Sequence, residues 1–342
     1  FIAFKAFAQE SFLPHYPTAL ELQQMEYLRN NPTPPVLMDP NPPPGPVRTM
    51  AEWEELQALQ ITWTPSNLYP ILRQIVDYAQ EECMVYIICS DSNAVKTYLT
   101  NGGVPLTNLK FLITSFNSIW CRDYGPWTVY SQNNDTLRII DWRYNRPRPQ
   151  DDATPVFIAN TMGVPIHQTL IAPNDLVNTG GNFMADGHGT AFASKLILVE
   201  NRVGNQYGVS PKTESQINSI MSSYMGINRF IKMDTLPCDR IHHIDMHIKL
   251  LDEETLLVSQ YPTGVADGPQ IELNLQYILT NFLTCFGKPY KVVRIPAPPD
   301  VNGNYPSPNP QINRDYRTYT NSVFVNKTVI VPTYELQYDT TA

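Results

Sequence analysis

A carboxylate set among aromatic residues is the first candidate for chemistry in this sequence. Residues 120–127 read W-C-R-D-Y-G-P-W, and the Gly-Pro pair is a turn signal. We therefore expect Asp123 at a turn that follows a strand. A carboxylate walled by aromatic faces suits a flat cation such as a guanidinium. A salt bridge between Arg122 and Asp123 within the turn is the alternative interpretation.

Histidine and aspartate alternate in a second cluster, H-H-I-D-M-H at 242–247. If this segment is a strand, its period of two places His243, Asp245 and His247 on one face. A histidine two residues from an aspartate can act as an acid/base and cation-binding pair. The three side chains also offer ligands for a metal ion, or one or two of them are structural polar groups.

A third cluster is rich in glycine. Four glycines lie between Thr179 and Thr190. They let the backbone approach a ligand closely, or they form two tight turns of a hairpin. The spacings that define phosphate-binding loops are missing from this segment.

Two arginines flank a proline at 146–148. Because the proline ring fixes the backbone between them, Arg146 and Arg148 are pre-set as a clamp for a carboxylate. A solvated pair at the surface is the alternative.

The elements that must position these clusters alternate between apolar runs and amphipathic segments, which predicts an α/β protein. Helices are predicted over 70–82, from Ser210 as N-cap to Gly226, and from Pro269 to Gly287. Strands are predicted at 84–89, 109–114, 137–142, 195–200, 255–259 and 292–295, with a hairpin formed by 322–325 and 329–331. The sequence has no fixed-period repeat, and a divergent structural repeat stays open.

Two segments precede the predicted domain. Residues 1–8 read F-I-A-F-K-A-F-A, and their small-x-small ending is typical of a signal-peptidase site. We expect the remnant of a signal peptide here, and hence a secreted or cell-surface protein; a frayed terminal strand is the alternative. Residues 9–47 are rich in proline and are predicted to form an extended leader. The compact domain is predicted to span 48–342.

Composition excludes several classes of protein. With 42% hydrophobic residues, the 342-residue chain is not disordered as a whole and can bury a core. A net charge of −8 without Lys/Arg runs argues against nucleic-acid binding. No apolar run reaches the roughly 18 residues that a membrane span needs. The five cysteines include no C-x-x-C pair, which favours buried thiols over zinc ligands or disulfides.

Taken together, the clusters resemble the guanidino-group-modifying enzymes, most closely the Porphyromonas-type peptidylarginine deiminases and more distantly the agmatine deiminases. The motifs that carry the resemblance run in order along the chain from residue 41 to its end. They are N-P-P-P-G-P-V-R from 41, W-C-R-D-Y from 120, Y-N-R-P-R-P from 144, T-G-G-N-F-M-A-D-G from 179, H-I-D from 243 and Y-T-N-S from 319.

The resemblance implies a pentein fold, an α/β propeller of ββαβ modules around a central active site, here with the last module truncated. It also implies hydrolysis of peptidyl arginine to citrulline and ammonia, with no metal or other cofactor. By position, Asp123 and Asp245 would bind the guanidinium. His243 would act as general acid and then as general base.

The substrate contacts are carried over in the same way. Trp120 would flank the substrate, and Asn321 would line the site. Arg146 and Arg148 would hold the C-terminal carboxylate of a peptide, so the implied partners are arginine-containing peptides or proteins. Agmatine has no such carboxylate.

One departure concerns the nucleophile, which in the family is a cysteine preceded by histidine near the end of the domain. None of the five cysteines has that context. We expect the nucleophile beyond Ala342, so this chain should bind substrate without turning it over. Three alternatives stay open: an agmatine deiminase-like amidine hydrolase, a metal-dependent hydrolase that uses His243, Asp245 and His247, and a non-catalytic binder of arginine peptides.

Overall fold

The computed structural model describes residues 13–31, 38–131, 136–309, 312, 315–334 and 337–340. These residues form an α/β structure, as predicted. Its helices are α1 (Ala19–Asn30), α2 (Tyr69–Ala79), α3 (Ser92–Asn101), α4 (Cys121–Tyr124), α5 (Pro149–Asp152), α6 (Thr154–Met162), α7 (Leu196–Glu200), α8 (Glu214–Met225) and α9 (Gly268–Asn281). Its strands are β1 (Val47–Thr49), β2 (Ala58–Thr62), β3 (Met84–Cys89), β4 (Leu109–Ile113), β5 (Trp127–Ser131), β6 (Thr136–Tyr144), β7 (Ile166–Thr169), β8 (Val177–Asn178), β9 (Met184–Ala185), β10 (Thr190–Ser194), β11 (Arg229–Met233), β12 (Ile248–Leu250), β13 (Thr255–Gln260), β14 (Lys291–Pro296), β15 (Val323–Val325) and β16 (Thr328–Ile330).

Three sheets repeat one ββαβ pattern. In each, two antiparallel strands are followed by helix and by a strand parallel to the second: β5-β6-β7, β9-β10-β11 and β12-β13-β14. The repeat that the sequence left open is therefore present in the structure. It escaped detection because the connecting helical segments differ in length and number. The closed propeller and the truncated last module stay predictions.

A fourth sheet is all parallel and consists of β2, β3 and β4. Its central strand β3 is an apolar run that is buried on both faces, which is typical of parallel sheets. The predicted hairpin is β15–β16, which turns at Asn326 and Lys327 and packs on the core of this sheet through Val325.

Two predicted elements differ from the structure. Residues 195–200 are predicted as a strand, but Lys195 is the N-cap of helix α7, which occupies the rest of this segment. Residues 242–247, also predicted as a strand, contain a 3₁₀ turn at Ile244–Met246, and the strand β12 begins only after them.

Two helices are placed correctly but with other ends. Helix α8 begins after Thr213, whose side chain forms a capping box with Gln216, and not after Ser210; Gly226 ends it in the left-handed conformation as predicted. Helix α9 ends at Asn281, before Gly287.

The proline-rich leader is not extended throughout. Residues 19–30 form helix α1, which begins with a capping box between Thr18 and Glu21. Residues 1–8, where we predict a signal peptide, lie outside the described residues. No helix in the described ranges is long and apolar enough to cross a membrane.

Candidate active site

Asp123 lies in the single-turn helix α4, on the connection from β4 to β5. Its backbone N–H donates to the Trp120 carbonyl at 2.9 Å, and Gly125 ends the turn at a φ of +86° that favours glycine. The carboxylate is only 3% exposed. The predicted turn is confirmed, and the short helix points Asp123 into the protein.

Arg122 does not pair with Asp123. Its guanidinium lies over the Trp127 ring at 5.1 Å and comes within 3.6 Å of the Glu52 carboxylate. The alternative of a local salt bridge in this turn is therefore wrong, and the Asp123 carboxylate is left for other partners.

Gly181 is the point where the three predicted catalytic side chains meet. It lies in a 3₁₀ turn, Gly180–Asn182, between β8 and β9. A Cβ atom on Gly181 would lie 2.4 Å from His243 Nδ1, 2.9 Å from Asp245 Oδ2 and 3.1 Å from Asp123 Oδ1. Its N–H donates to Asp123 Oδ1 at 3.3 Å. The glycine-rich cluster thus provides a close backbone approach here, and its second half forms the turn between β9 and β10.

His243 and Asp245 reach this point from the connection between β11 and β12. The Asp239 carboxylate accepts the His243 N–H at 2.9 Å, and Thr320 Oγ1 donates to the Asp245 carbonyl at 3.1 Å. His243 Nδ1 lies 3.6 Å from Asp123 Oδ1, too far for a hydrogen bond. The shared strand face predicted for His243 and Asp245 is wrong, because a 3₁₀ turn at Ile244–Met246 follows His243; both side chains nevertheless reach Gly181.

Several polar atoms at this point are buried and lack partners. Both ring nitrogens of His243 and Asp245 Oδ1 have no hydrogen-bond partner among the described residues. Buried polar atoms are normally paired, and each exception calls for an explanation. The Asp245 oxygen and the unprotonated nitrogen of His243 are acceptors that a cationic ligand with several N–H donors would satisfy.

Burial sets the protonation of the site. It raises the pKa of Asp245 to about 7, with repulsion from Asp123 adding to the effect, and it lowers the pKa of His243 to about 3. Burial alone would also raise the pKa of Asp123, but His15 and His243 beside it reverse the shift. Attraction to Asp123 opposes the effect of burial on His243 but does not outweigh it, so the pKa of His243 stays below its usual range.

The N-terminal segment enters the same site, which the sequence did not predict. The His15 imidazole hydrogen-bonds to Asp123 Oδ2 and stacks on Trp120 with ring centroids 4.1 Å apart. Arg146 donates to the His15 carbonyl through Nε at 3.0 Å and Nη2 at 2.9 Å. Nothing in the residues around His15 signals this placement.

The two arginines are buried and not solvated. Arg148 is 1% exposed; its Nε donates to Glu21 Oε1 at 2.6 Å and its Nη2 to the Pro14 carbonyl at 2.7 Å. The alternative of a surface pair is therefore wrong. Arg148 binds a carboxylate, but that carboxylate belongs to the chain itself.

Asn321 lies at the edge of the site. Its side chain is exposed, and its amide nitrogen lies 3.9 Å from Met246 Sδ. No hydrogen bond between Asn321 and the site carboxylates is found in the described part of the chain. Its role in lining the site stays a prediction.

A metal could be held by a different set of residues from the predicted one. Ligand atoms of His15, Asp123 and His243 lie within 4.8 Å of one another. Among the described residues, His243, Asp245 and His247 form no such group. The geometry therefore gives no support to a metal hydrolase built on that trio.

All five cysteines are free thiols, and the environment of each raises its pKa. Burial raises the pKa of Cys121 and Cys238 to about 12 and that of Cys89 to about 11; the pKa values of Cys83 and Cys285 are also raised. Because the thiolate is the nucleophilic form, none of the five is activated. This agrees with the expectation that none is the nucleophile.

Comparisons with known proteins bear on this site and its fold. A family model for Porphyromonas-type peptidyl-arginine deiminases matches residues 48–342. A protein assigned as an agmatine deiminase in Enterococcus faecalis is 26% identical over 128 residues, which are 34% of this chain and 32% of that protein. The matched part is thus about a third of that curated relative.

Solved structures share the fold at low identity. A protein assigned as an arginine deiminase from Porphyromonas gingivalis superposes with a TM-score of 0.71 at 19% identity, over 86% of this chain and 87% of that one. The agmatine deiminase of Enterococcus faecalis gives a TM-score of 0.71 at 18% identity, over 91% and 89%. The mixed α/β fold is that of the pentein-type deiminases. Since the family model matches most of the chain, the protein belongs to the family of Porphyromonas-type peptidyl-arginine deiminases.

Proposed function

We propose that the site binds the guanidinium group of peptidyl arginine and hydrolyses it to citrulline and ammonia. The observation that supports this most strongly is the convergence of Asp123, Asp245 and His243 on Gly181, with buried acceptor atoms that lack partners. Export of the protein, predicted from residues 1–8, belongs to the same proposal.

The chemistry assigns a role to each side chain. Asp123 and Asp245 hold the guanidinium nitrogens, and a thiolate attacks the guanidinium carbon. His243, which is neutral before the reaction, takes the proton of the attacking thiol and gives it to the leaving ammonia. It then takes a proton from the water that hydrolyses the amidino–sulfur bond. The products are a ureido group and the regenerated thiolate.

We place the thiolate beyond Ala342, because none of the five cysteines is activated. The alternative of a non-catalytic binder predicts no citrulline from any longer natural chain that includes these residues. Binding, in contrast, can be tested on the 342-residue chain itself.

Arg146 and Arg148 favour a peptide over agmatine. One of them already binds a carboxylate and both bind backbone carbonyls, which are groups that a peptide offers. Agmatine offers neither. An agmatine deiminase-like hydrolase is the second candidate, because solved structures that share the fold include an agmatine deiminase.

The experiment measures how strongly the chain prefers a peptide ending in a free arginine carboxylate over its amide and over agmatine. We expect Arg146→Ala to reduce this preference by about 10- to 100-fold, because a bond to a charged group contributes about 1.5–3 kcal/mol. Calorimetry gives the ratio of affinities. The ratio does not depend on how tightly the N-terminal segment binds, since all three ligands must displace it.

Arg202→Ala is the matched control, because Arg202 is an exposed arginine outside the site. It should leave the preference unchanged. Stronger binding of agmatine by the unaltered chain would favour the second candidate. No binding of any of the three ligands would contradict both.

The pH dependence of binding tests Asp245. Its pKa is raised to about 7, so below neutral pH the carboxyl is protonated and must lose its proton to hold a cation. We expect affinity for an arginine peptide to rise with pH, by up to about tenfold per unit below pH 7, and to level off above it. Asp245→Asn should bind weakly at every pH and lose this rise. A flat profile in the unaltered chain would rule out this role.

A further inference from the structure

We infer that residues 13–21 are an internal pseudosubstrate, which fills the peptide site and must leave before an arginine peptide can enter. This inference rests on the proposed function, since it assigns the segment to the groups proposed to bind substrate. It also specifies the substrate as a peptide chain.

His15 occupies the place proposed for the guanidinium. Its flat ring lies between Trp120, on which it stacks, and Asp123, to which it hydrogen-bonds. It also meets the His243 ring edge-on, with centroids 5.0 Å apart. A flat N–H donor against a carboxylate and an aromatic face uses the same contacts as a guanidinium. An imidazole has no amidino carbon that could lose ammonia, so His15 can bind there without reacting.

The backbone of the segment uses the proposed substrate contacts as well. The Trp120 indole donates to the Leu13 carbonyl at 2.9 Å, and Arg146 donates to the carbonyl of His15. The cleft therefore accepts main-chain groups on both sides of the residue whose side chain reaches Asp123. This is the pattern expected of a site that reads a peptide.

Glu21 supplies the carboxylate that Arg148 would otherwise take from a substrate. The pair is almost fully buried, with side chains 1% and 6% exposed, and the second Glu21 oxygen lies 3.3 Å from Arg148 Nη2. A buried arginine with no counter-charge would be costly, so its partner must be replaced when the segment leaves. The carboxylate of an incoming peptide can do this.

The segment is attached weakly enough to be displaced. Of the twelve residues of α1, only Glu21 and Met25 are buried. Elements with few buried contacts open at low free-energy cost. The Arg148–Glu21 pair is thus the main polar contact that holds the helix, and its loss should release the segment.

The test compares Glu21→Gln with Glu26→Gln in the 342-residue chain. Glutamine can keep the capping box, as Gln216 does in α8, so the substitution removes the charge and one of the two acceptor oxygens that face Arg148. Glu26 is exposed on the same helix and serves as the matched control. Anisotropy of a labelled peptide ending in arginine reports the apparent affinity.

We expect Glu21→Gln to bind this peptide about 10- to 100-fold more tightly, because apparent affinity scales with the fraction of open sites. Glu26→Gln should match the unaltered chain. Hydrogen exchange of the α1 amides gives a second readout that needs no ligand. The amides should exchange faster in Glu21→Gln, and also faster in the unaltered chain when it is saturated with peptide.

Equal affinity and equal exchange in the two variants would overturn the pseudosubstrate. Faster exchange in Glu21→Gln, with no binding of arginine peptide by any variant, would instead overturn the proposed substrate while the internal contact remains. The two failures are therefore distinguishable.

Discussion

Asp123→Asn is expected to weaken binding of an arginine peptide by at least about 100-fold. The carboxylate is buried, and the guanidinium would take over the hydrogen bond that His15 now makes to it. Removing one member of a buried charge pair costs about 3–5 kcal/mol, because the other charge is left uncompensated. The carboxamide has the same shape and can still accept the Gly181 N–H, so the fold should persist.

The measurement is best made in the Glu21→Gln background. In that background the N-terminal segment is already released from the site. The loss of the contact between Asp123 and His15 therefore cannot open the site further and mask the weaker binding of the peptide. Asp77→Asn removes the same charge from α2, a helix that carries no site residue, and should bind like its parent. Affinity within threefold of the parent for Asp123→Asn would show that this carboxylate does not hold the guanidinium.

Gly181→Ala is also expected to weaken binding of an arginine peptide, by displacing side chains of the site and not by removing a charge. The new Cβ would lie 2.4 Å from His243 Nδ1 and 2.9 Å from Asp245 Oδ2, distances at which something must move. Displacing the Asp245 carboxylate removes a charge-assisted bond of about 1.5–3 kcal/mol, and the methyl group fills the space between the two acids. We expect about 10- to 150-fold weaker binding, together with a lower free energy of unfolding by about 1–3 kcal/mol.

Gly102→Ala serves as the control for adding a methyl group. Its Cβ would also meet close atoms, but they belong to the end of the flexible Arg73 side chain, which can move aside. Binding should be unchanged in this variant. Calorimetry gives both affinities, and denaturant melts show whether Gly181→Ala is still folded. A folded Gly181→Ala protein with unchanged affinity would contradict the geometry of the site.

The sequence located the candidate site side chains better than it located their backbone. Residue types singled out Asp123 and the cluster of His243, Asp245 and His247, and the family resemblance selected three of them. The structure brings Asp123, His243 and Asp245 together at Gly181. The strand predicted at 242–247 is wrong because His242 has a φ of +59°, which no strand residue adopts. Asp239 also accepts two backbone N–H groups there, which holds the chain in a turn.

Other differences arise from ambiguous local patterns. The apolar run at 196–199 suits a strand or a buried helix, and here Ser194 Oγ accepts the Leu196 N–H at the helix start. In the leader, the density of proline at 31–47 obscured the capping box of α1. No local pattern could place His15 beside Asp123, since the contact spans 108 residues.

The connections between sheets, and not the sheets, carry Asp123, Gly181, His243 and Asp245. Strands and helices can therefore exchange one apolar residue for another of similar volume without touching the ligand. The chemical constraint falls on a few short loops, while the rest of the chain is constrained only to fill space. Because most positions need only to fill space, the same fold can persist between this chain and solved structures that are only 18–19% identical to it. It also means that new specificities can evolve by altering the loops while the framework remains unchanged.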